Sequence, residues 1–208
     1  MPVICARHAS IVAPELGAHA IVNAGNPALG MGSGVSGAIR DACGGHPFQE
    51  SVRERLEEEF DGPLRAEDCL VTDAGTCSAF RWVLHVASVD YRRRDPETGG
   101  ATGPSRVRSC FLAVLREATE LASEENLEGQ FVLATPLLGA GHGGLGPVTA
   151  LEAMIRGLAE HLAEVAPHRR EVLRSVVFAV LTAEEARLVP LAAASHRLRT
   201  GPPAGTGD

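Results

Sequence analysis

Two glycine-rich segments hold most of the residues whose types and spacing could do chemistry. The first glycine loop covers residues 23–35 (NAGNPALGMGSGV), and the second glycine loop covers residues 136–147 (PLLGAGHGGLGP). Each leaves a strand-like run and enters a helix-like one. Glycine lets backbone N–H groups approach an anion closely, and the N-terminus of a following helix adds a favourable dipole. A tight turn explains one such cluster equally well, but two at strand-to-helix junctions predict opposite walls of one phosphate-binding cleft.

His142 is the only titratable residue in either glycine loop. Histidine suits acid–base work near neutral pH, so His142 is a candidate catalytic residue. An exposed loop histidine that offers only its backbone is the simpler interpretation. Asp41, about a turn beyond the first loop, is interpreted as a solvated helix residue. His85 lies inside a strand-like run and is interpreted as a hydrogen-bonded core histidine.

Both loops also contain a formal G-x-G-x-x-G match, at residues 32–37 and 139–144. This match raises a dinucleotide-binding oxidoreductase as an alternative. The dinucleotide fingerprint has its first glycine directly after the strand. Here residues 25–31, with Pro27 among them, separate the first strand from its glycines, and the second match lies late in the chain. Nothing else resembles a site for hydride transfer, so this alternative has the least support.

The composition narrows the classes of function. The chain has 208 residues, 45% of them hydrophobic and 22% charged, the balance of an ordinary globular domain. A net charge of −7 argues against non-specific nucleic-acid binding, which needs a basic face. All 19 basic residues are arginine, so a mechanism with a lysine nucleophile is excluded.

Neither a membrane segment nor a metal site is expected. The apolar runs are far shorter than the roughly 18–20 residues of a membrane helix, and no signal peptide is evident. We therefore expect a cytoplasmic protein without a membrane partner. The five cysteines are scattered and form no C-x-x-C pair, which favours buried, reduced thiols over a metal site or a disulfide framework. We expect no cofactor.

Strand-like and helix-like patterns alternate along the chain, which predicts an α/β fold. Strand patterns occupy residues 18–24, 69–72, 82–88, 131–138 and 172–181. Helical patterns occupy residues 35–43, 48–60, 105–125 and 147–165, and a last helix follows Thr182. Ser105 is predicted to cap the third helix and Thr182 the last. The order predicts a three-layer α/β/α sandwich with a mixed, mostly parallel central sheet.

The whole of residues 1–199 is expected to form one domain. Residues 90–104, rich in Arg, Gly, Pro and Thr, are predicted to be a solvated surface insertion. The tail at residues 200–208 (TGPPAGTGD) is predicted to be disordered.

Five blocks of sequence together resemble the macro domain, the ADP-ribose-binding family. They are AIVNAGN at 20–26, GSGVSGAI at 32–39, LVTDAG at 70–75, WVLHV at 82–86 and TPLLGAG at 135–141. The resemblance runs from about residue 18 to about residue 162, in the family's order, apart from the insertion at 90–104. It agrees with the fold class that the segments predict.

The resemblance implies a diphosphate held between the two glycine loops. By position, the backbone donors of the first loop are Gly32, Ser33, Gly34 and Val35. Those of the second loop are Gly139, Ala140, Gly141, His142 and Gly143. Asn26 matches the asparagine that contacts the distal ribose, whereas Asn23 is expected to hold the loop.

Several positions depart from the family pattern. Many members have an adenine-binding aspartate near the start of the chain, and here residues 10–12 contain no acid. Two hydrolase branches place an acidic residue or a histidine where this chain has Ser36 and Met31, and a third uses a lysine. Many members place an aromatic residue against the distal ribose at the position of Gly143.

These observations leave three hypotheses for the function. The first is binding of ADP-ribose or a related metabolite. The second is hydrolysis of an ADP-ribosyl group by a substrate-assisted attack of water, with Asn26 and His142 as the candidate catalytic residues. The third is recruitment of ADP-ribosylated proteins.

Overall fold

Six strands form a single sheet in the computed structural model, which describes residues 1–202. The strands are β1 (Val3–His8), β2 (Ala20–Gly25), β3 (Leu70–Asp73), β4 (Trp82–Ala87), β5 (Phe131–Thr135) and β6 (Leu173–Val180). Their order across the sheet is β1-β6-β5-β2-β4-β3. All neighbours are parallel except β3, which runs antiparallel to β4. The mixed, mostly parallel sheet is therefore as predicted.

Helices cover both faces of this sheet. They are α1 (Gly34–Ala42), α2 (His46–Glu59), α3 (Pro104–Glu124), α4 (Pro147–Glu164) and α5 (Ala183–Ser195), with short 3-10 turns at Pro14–Leu16 and Pro167–Glu171. None of these helices is both long and apolar enough to cross a membrane.

Two apolar cores lie on opposite faces of the sheet, because successive strand residues point to opposite sides. Along β2, Ala20 and Val22 pack into the core under α3, α4 and α5, whereas Ile21 packs into the core under α1 and α2. This arrangement confirms the three-layer α/β/α sandwich.

The structure differs from the sequence prediction in one missed strand and one wrongly placed helix cap. The sequence pattern did not predict β1, which pairs with β6 about 170 residues further along the chain. Ser105 does not cap α3: the cap is Gly103 and Pro104 is the first helical residue. Proline fits there because the first turn of a helix needs no N–H donor. The prediction for Thr182 is confirmed, since its side chain and that of Glu185 form a reciprocal capping box.

The insertion at 90–104 is exposed along residues 91–94 but is anchored at its base. The Asp90 N–H donates to the Ala101 carbonyl at 2.7 Å, and the Thr102 hydroxyl donates to the Ser88 carbonyl at 2.6 Å. Thr102 is itself buried. Residues 91–94 and 96–100 are exposed, so the predicted solvated insertion is confirmed for most of its length, and its two ends are buried.

The segment after α5 returns to the edge of the sheet. Thr200 forms an isolated bridge with Ile4, and the Gly201 N–H donates to the Ile4 carbonyl at 3.2 Å. Residues 203–208, most of the tail predicted to be disordered, lie outside the described residues.

Candidate ligand-binding site

The two glycine loops lie beside each other because they follow neighbouring strands. β2 pairs directly with β5, and the loops leave the carboxyl ends of these strands, where open α/β sheets bind ligands. A Cβ atom built on Gly34 would lie 3.5 Å from Nδ1 of His142. The loops therefore meet across one cleft.

This cleft has a volume of about 720 Å³, which lies in the usual range for small-molecule sites. Nine of the ten predicted binding residues line it: Asn26, Gly32, Ser33, Gly34, Val35, Gly139, Gly141, His142 and Gly143. Ala140 is not among the lining residues. Its N–H donates to the Leu137 carbonyl at 3.3 Å, within the turn that forms the second loop.

The side chain of Asn26 fixes the conformation of the first glycine loop. Its Oδ1 accepts from the N–H groups of Ala28 and Gly30 at 3.1 and 3.4 Å, and its Nδ2 donates to the Gly30 carbonyl at 3.1 Å. Leu29 and Met31 anchor the same loop through side chains that are almost completely buried. The loop is thus held in shape by its own residues.

The N-terminus of α1 opens into the cleft without a side-chain cap. The first N–H groups of any helix have no partner inside the helix. Ser33 occupies the capping position in an extended conformation, yet its hydroxyl makes no capping hydrogen bond. The N–H groups of Gly34, Val35 and Ser36 are consequently free to meet an anion, and the helix dipole favours negative charge there.

The second glycine loop presents a comparable row of donors. The Gly139 carbonyl accepts from the Leu145 N–H at 3.2 Å, and the Gly141 carbonyl accepts from the Gly144 N–H at 3.0 Å. In both bonds the loop's own carbonyl groups act as acceptors for the N–H groups of residues 144 and 145. The N–H groups at 141–143 donate to no acceptor within residues 1–202.

Residues at both ends of the insertion pack against the second glycine loop. A Cβ atom on Gly143 would lie 2.6 Å from the Gly139 carbonyl oxygen and 2.9 Å from methyl groups of Thr102 and Val89. These distances are too short for any side chain at position 143. The second glycine loop is therefore packed too closely at position 143 to accept a side chain without moving.

A chain of hydrogen bonds, buried at Ser36, Asn23 and His85, runs from the cleft through the sheet to the exposed Asp73. The Asp73 carbonyl can only accept, so the Thr72 hydroxyl donates to it at 2.9 Å. Thr72 Oγ1 then accepts from Nε2–H of His85 at 3.0 Å. Nδ1 of His85 accepts from Nδ2 of Asn23 at 3.0 Å, and Oδ1 of Asn23 accepts from the Ser36 hydroxyl at 2.8 Å. The Ser36 proton thus points inward, and only lone pairs of its oxygen are left for the cleft.

Burial holds the histidine of this chain in its neutral form. His85 is 0% exposed, and burial lowers its pKa to about 3. A neutral ring is required, because one ring nitrogen accepts while the other donates. The prediction of a hydrogen-bonded core histidine is confirmed. Asn23 has a structural role, but it joins β2 to His85 and Ser36, whereas Asn26 holds the loop.

The electrostatic character of the cleft contrasts with that of the whole chain. The net charge is −7, yet none of the eighteen described residues that line the cleft carries a carboxylate. His142 and Tyr91 are the titratable side chains among them. An anion in this cleft would meet backbone donors without facing a carboxylate in the lining.

The positions that depart from the family pattern contribute no acid or base to the cleft. Met31 is 1% exposed, and its carbonyl accepts from Arg40 at 2.9 Å. Asp41 is exposed and pairs with the same arginine at 2.8 Å, as expected for a solvated helix residue. Residues 10–12 follow β1 and are not among the residues that line the cleft.

Sequence reasoning missed four lining residues that follow the ends of strands. Ser88, Val89 and Tyr91 follow β4, and Leu181 follows β6. Tyr91 and Leu181 are exposed by 62% and 77%. Tyr91 could have been identified from the sequence, because it is the one tyrosine of the chain and it closely follows a predicted strand.

The cysteines form no reactive centre in the described part of the chain. All five are free. Burial raises the pKa of the Cys43 and Cys110 thiols to about 12 and that of Cys5 to about 11, so these thiols are poor nucleophiles at neutral pH. No cluster of three or more His, Cys, Asp or Glu suited to a metal ion occurs in residues 1–202.

Comparison with families of known sequence gives a match over most of the chain. The model described as Macro domain matches residues 22–154. An uncharacterized protein of Pyrobaculum aerophilum is 33% identical over 176 residues, which are 83% of this chain and 81% of the relative.

Solved structures resemble the fold at lower identity. A mutant of the Oceanobacillus iheyensis macrodomain, in a structure with ADPR, has a TM-score of 0.69 and 18% identity, covering 93% of this chain and 91% of that one. The Trypanosoma brucei macrodomain in complex with ADP-ribose has a TM-score of 0.64 and 21% identity, covering 91% and 68%.

Proposed function

This chain belongs to the macro domain family, and we propose that its cleft binds ADP-ribose, either free or attached to a protein or a metabolite. The observation that carries this proposal is the cleft itself, which two glycine loops line and to which no carboxylate contributes. A diphosphate needs dense hydrogen-bond donors and little nearby negative charge. Backbone N–H groups supply the donors here, and the lining residues that the structure describes include no carboxylate to repel the diphosphate.

We assign the diphosphate to the space between the loops. The proposed donors of the first loop are the backbone groups of Gly32, Ser33, Gly34 and Val35, and those of the second loop are Gly139, Gly141, His142 and Gly143. Ala140 is left out of this set because its N–H is engaged with Leu137. The ring of His142 lies 3.5 Å from where a Cβ of Gly34 would be, so the two loops are close enough to contact the same phosphates.

Asn26 marks the end of the cleft where we place the terminal ribose. It lines the cleft at the carboxyl end of β2, beside the proposed diphosphate site. Its carboxamide already holds the loop through three hydrogen bonds, so a ribose hydroxyl would share an oriented group. The Oceanobacillus structure with ADPR and the Trypanosoma complex with ADP-ribose support this choice of ligand.

Calorimetric titration of the full chain tests the proposal, with ADP-ribose, AMP and NAD as ligands. We expect micromolar binding of ADP-ribose that is tighter than binding of NAD. AMP should bind weakly, because the lining contains no acidic side chain for the adenine amino group and AMP lacks the diphosphate. Absence of ADP-ribose binding at millimolar ligand would reject the proposal.

Hydrolysis of an ADP-ribosyl ester is the second candidate function, and the fixed hydroxyl of Ser36 favours it. With its proton directed to Asn23, the Ser36 oxygen can accept a hydrogen bond from a water molecule and orient it. In the proposed step the water oxygen attacks the anomeric carbon of the terminal ribose, and the bond to the carboxylate oxygen breaks. The carboxylate leaves with the bonding electrons, and a phosphate oxygen of the substrate takes the proton.

Incubation of a protein ADP-ribosylated on carboxylates with a high concentration of the chain tests this activity. Release of ADP-ribose that decreases in the Asn26→Ala and His142→Ala variants would support hydrolysis. Capture of the modified protein without release, and no capture of the unmodified protein, would support recruitment instead. Equal capture of both forms would reject recruitment.

A further inference from the structure

The 90–104 insertion brings an aromatic side chain, Tyr91, to the cleft that the second glycine loop lines. Gly143 cannot carry a side chain, because Val89 and Thr102 occupy the space that its Cβ would need. Val89 directly precedes the insertion and Thr102 lies near its end, and two positions after Val89 the chain presents Tyr91 to the cleft. One segment thus fills the space at position 143 and supplies a ring.

The base of the insertion holds Tyr91 in place. The Asp90 N–H donates to the Ala101 carbonyl at 2.7 Å. Asp90 in turn accepts from the Arg92 N–H through Oδ1 at 3.0 Å and from the Arg93 N–H through its carbonyl at 3.4 Å. Tyr91 is therefore the second residue of a tight turn that begins at the buried Asp90. A side chain on such a turn needs little ordering when a ligand binds.

The pairing of the strands decides which end of the ligand this ring would meet. The Val89 N–H donates to the Gly25 carbonyl at 3.3 Å, and Gly25 directly precedes Asn26. Tyr91 therefore lies on the Asn26 side of the cleft. Leu181, the other strongly exposed apolar residue of the lining, follows β6, which β5 separates from β2.

We propose that Tyr91 contacts the terminal ribose of the bound ligand and distinguishes ADP-ribose from ADP. The proposal rests on the proposed function, because it places the ligand with its terminal sugar beside Asn26. The C–H groups of a sugar pack against an aromatic face, and Tyr91 exposes 62% of its surface. ADP lacks the terminal sugar and leaves this ring uncovered.

Affinities of ADP-ribose and ADP for the Tyr91→Ala variant test the proposal. We expect about tenfold weaker binding of ADP-ribose and unchanged binding of ADP, with wild-type behaviour in Tyr91→Phe, which keeps the ring. Leu191→Ala is the matched control, since Leu191 is 69% exposed on α5 and does not line the cleft. An equal loss for both ligands would overturn the proposal, because it would place Tyr91 away from the sugar.

The single tyrosine of the chain allows a direct second measurement. Protein that contains fluorotyrosine gives one fluorine resonance, which should shift with ADP-ribose and stay in place with ADP. Binding of ADP-ribose by calorimetry without a shift, and with unchanged affinity in Tyr91→Ala, would overturn this proposal alone. A wild-type chain that binds no ADP-ribose would overturn the proposed function together with it.

Discussion

Asn23 and His85 face each other across β2 and β4 and share a buried hydrogen bond of 3.0 Å. They are partners in the register of the two parallel strands, and both side chains are 0% exposed. The hydrogen bond continues to Thr72 on one side and to Ser36 on the other. A polar pair inside the sheet is thereby linked to a residue that lines the cleft. The protonation of His85 consequently affects both the stability of the core and the orientation of Ser36.

Acidification should destabilise the fold through this histidine. The pKa of His85 is about 3 in the folded chain, whereas a histidine in an unfolded chain titrates near ~6.5. The contribution of His85 to the free energy of unfolding is therefore highest above about pH 6.5. It decreases as the pH falls toward about 3, by at most ~1.4 kcal/mol per pH unit. Burial also lowers the pKa of His19 and His161, which act in the same direction. Urea unfolding should give a lower free energy of unfolding at pH 5 than at pH 7.

His85→Gln provides the control for this pH dependence. The variant lacks the titrating ring, so its unfolding free energy should change less between the two pH values than that of the wild type. The quantity compared is the change in unfolding free energy between pH 7 and pH 5 within each protein. A lower stability of the variant at pH 7 therefore does not affect the comparison. An identical pH dependence in both proteins would exclude His85 as a source.

Ser36→Ala should destabilise the fold, because it leaves Oδ1 of the buried Asn23 without its 2.8 Å donor. A buried polar atom that loses its partner costs about 1–3 kcal/mol. Ser33→Ala is the matched control, since Ser33 is exposed and its hydroxyl makes no capping hydrogen bond. Thermal unfolding of the two variants measures the difference. Equal midpoints would contradict the role assigned to the Ser36 hydroxyl.

The sequence predicted the elements with strong periodicity and the two loops between them. Residue patterns located five of the six strands and four helices, the capping signal at Thr182 located the fifth helix, and the strand-to-helix junctions located both loops. β1 escaped prediction because its apolar run ends in Arg7 and His8 and its partner β6 lies at the other end of the chain. Residue patterns within a window carry no information about such a distant partner.

The side of the cleft formed by the insertion could not be predicted for a related reason. Composition indicated a solvated segment at residues 90–104, and its tip is solvated. The contacts of Thr102 and Val89 with Gly143 join residues about 40 to 55 positions apart, as the numbering shows. The direction of the hydrogen bonds from Ser36 to Asp73 likewise depends on four strands and helices meeting in space.

Gly34→Glu should abolish ligand binding. The new side chain would point toward His142, since a Cβ at position 34 lies 3.5 Å from its ring, and would place a carboxylate where we assign the diphosphate. Repulsion and desolvation together should cost roughly 3 kcal/mol or more of binding free energy. Gly34→Ala is the control for the backbone, because φ is +60° at this position and any side chain is strained there. Similar ADP-ribose affinities of the two variants would refute the assigned place of the phosphates.

Gly143→Ala should disturb the second glycine loop. Its Cβ would lie 2.6 Å from the Gly139 carbonyl oxygen, so the loop or the insertion must move, at a cost of about 1–3 kcal/mol in stability. Gly141→Ala is the matched control, because a Cβ there meets nothing within 4 Å. Thermal unfolding should separate the two variants. A Gly143→Ala protein as stable as Gly141→Ala would show that the insertion yields easily at this contact.

Asn26→Ala and Asn26→Asp should separate the two roles proposed for Asn26. The alanine variant removes the acceptor for Ala28 and Gly30 and should lose both loop order and affinity, with roughly 1–3 kcal/mol lost in binding. The aspartate variant keeps an oxygen acceptor for both N–H groups but loses the Nδ2 donor to the Gly30 carbonyl, so it should be destabilised less than the alanine variant. Its added negative charge beside the proposed diphosphate should still weaken ADP-ribose binding, and less so at high salt. Wild-type affinity in Asn26→Asp at low salt would place the diphosphate away from Asn26. If Asn26→Ala instead binds normally but releases no ADP-ribose from a substrate that the wild type cleaves, Asn26 orients the reacting ribose.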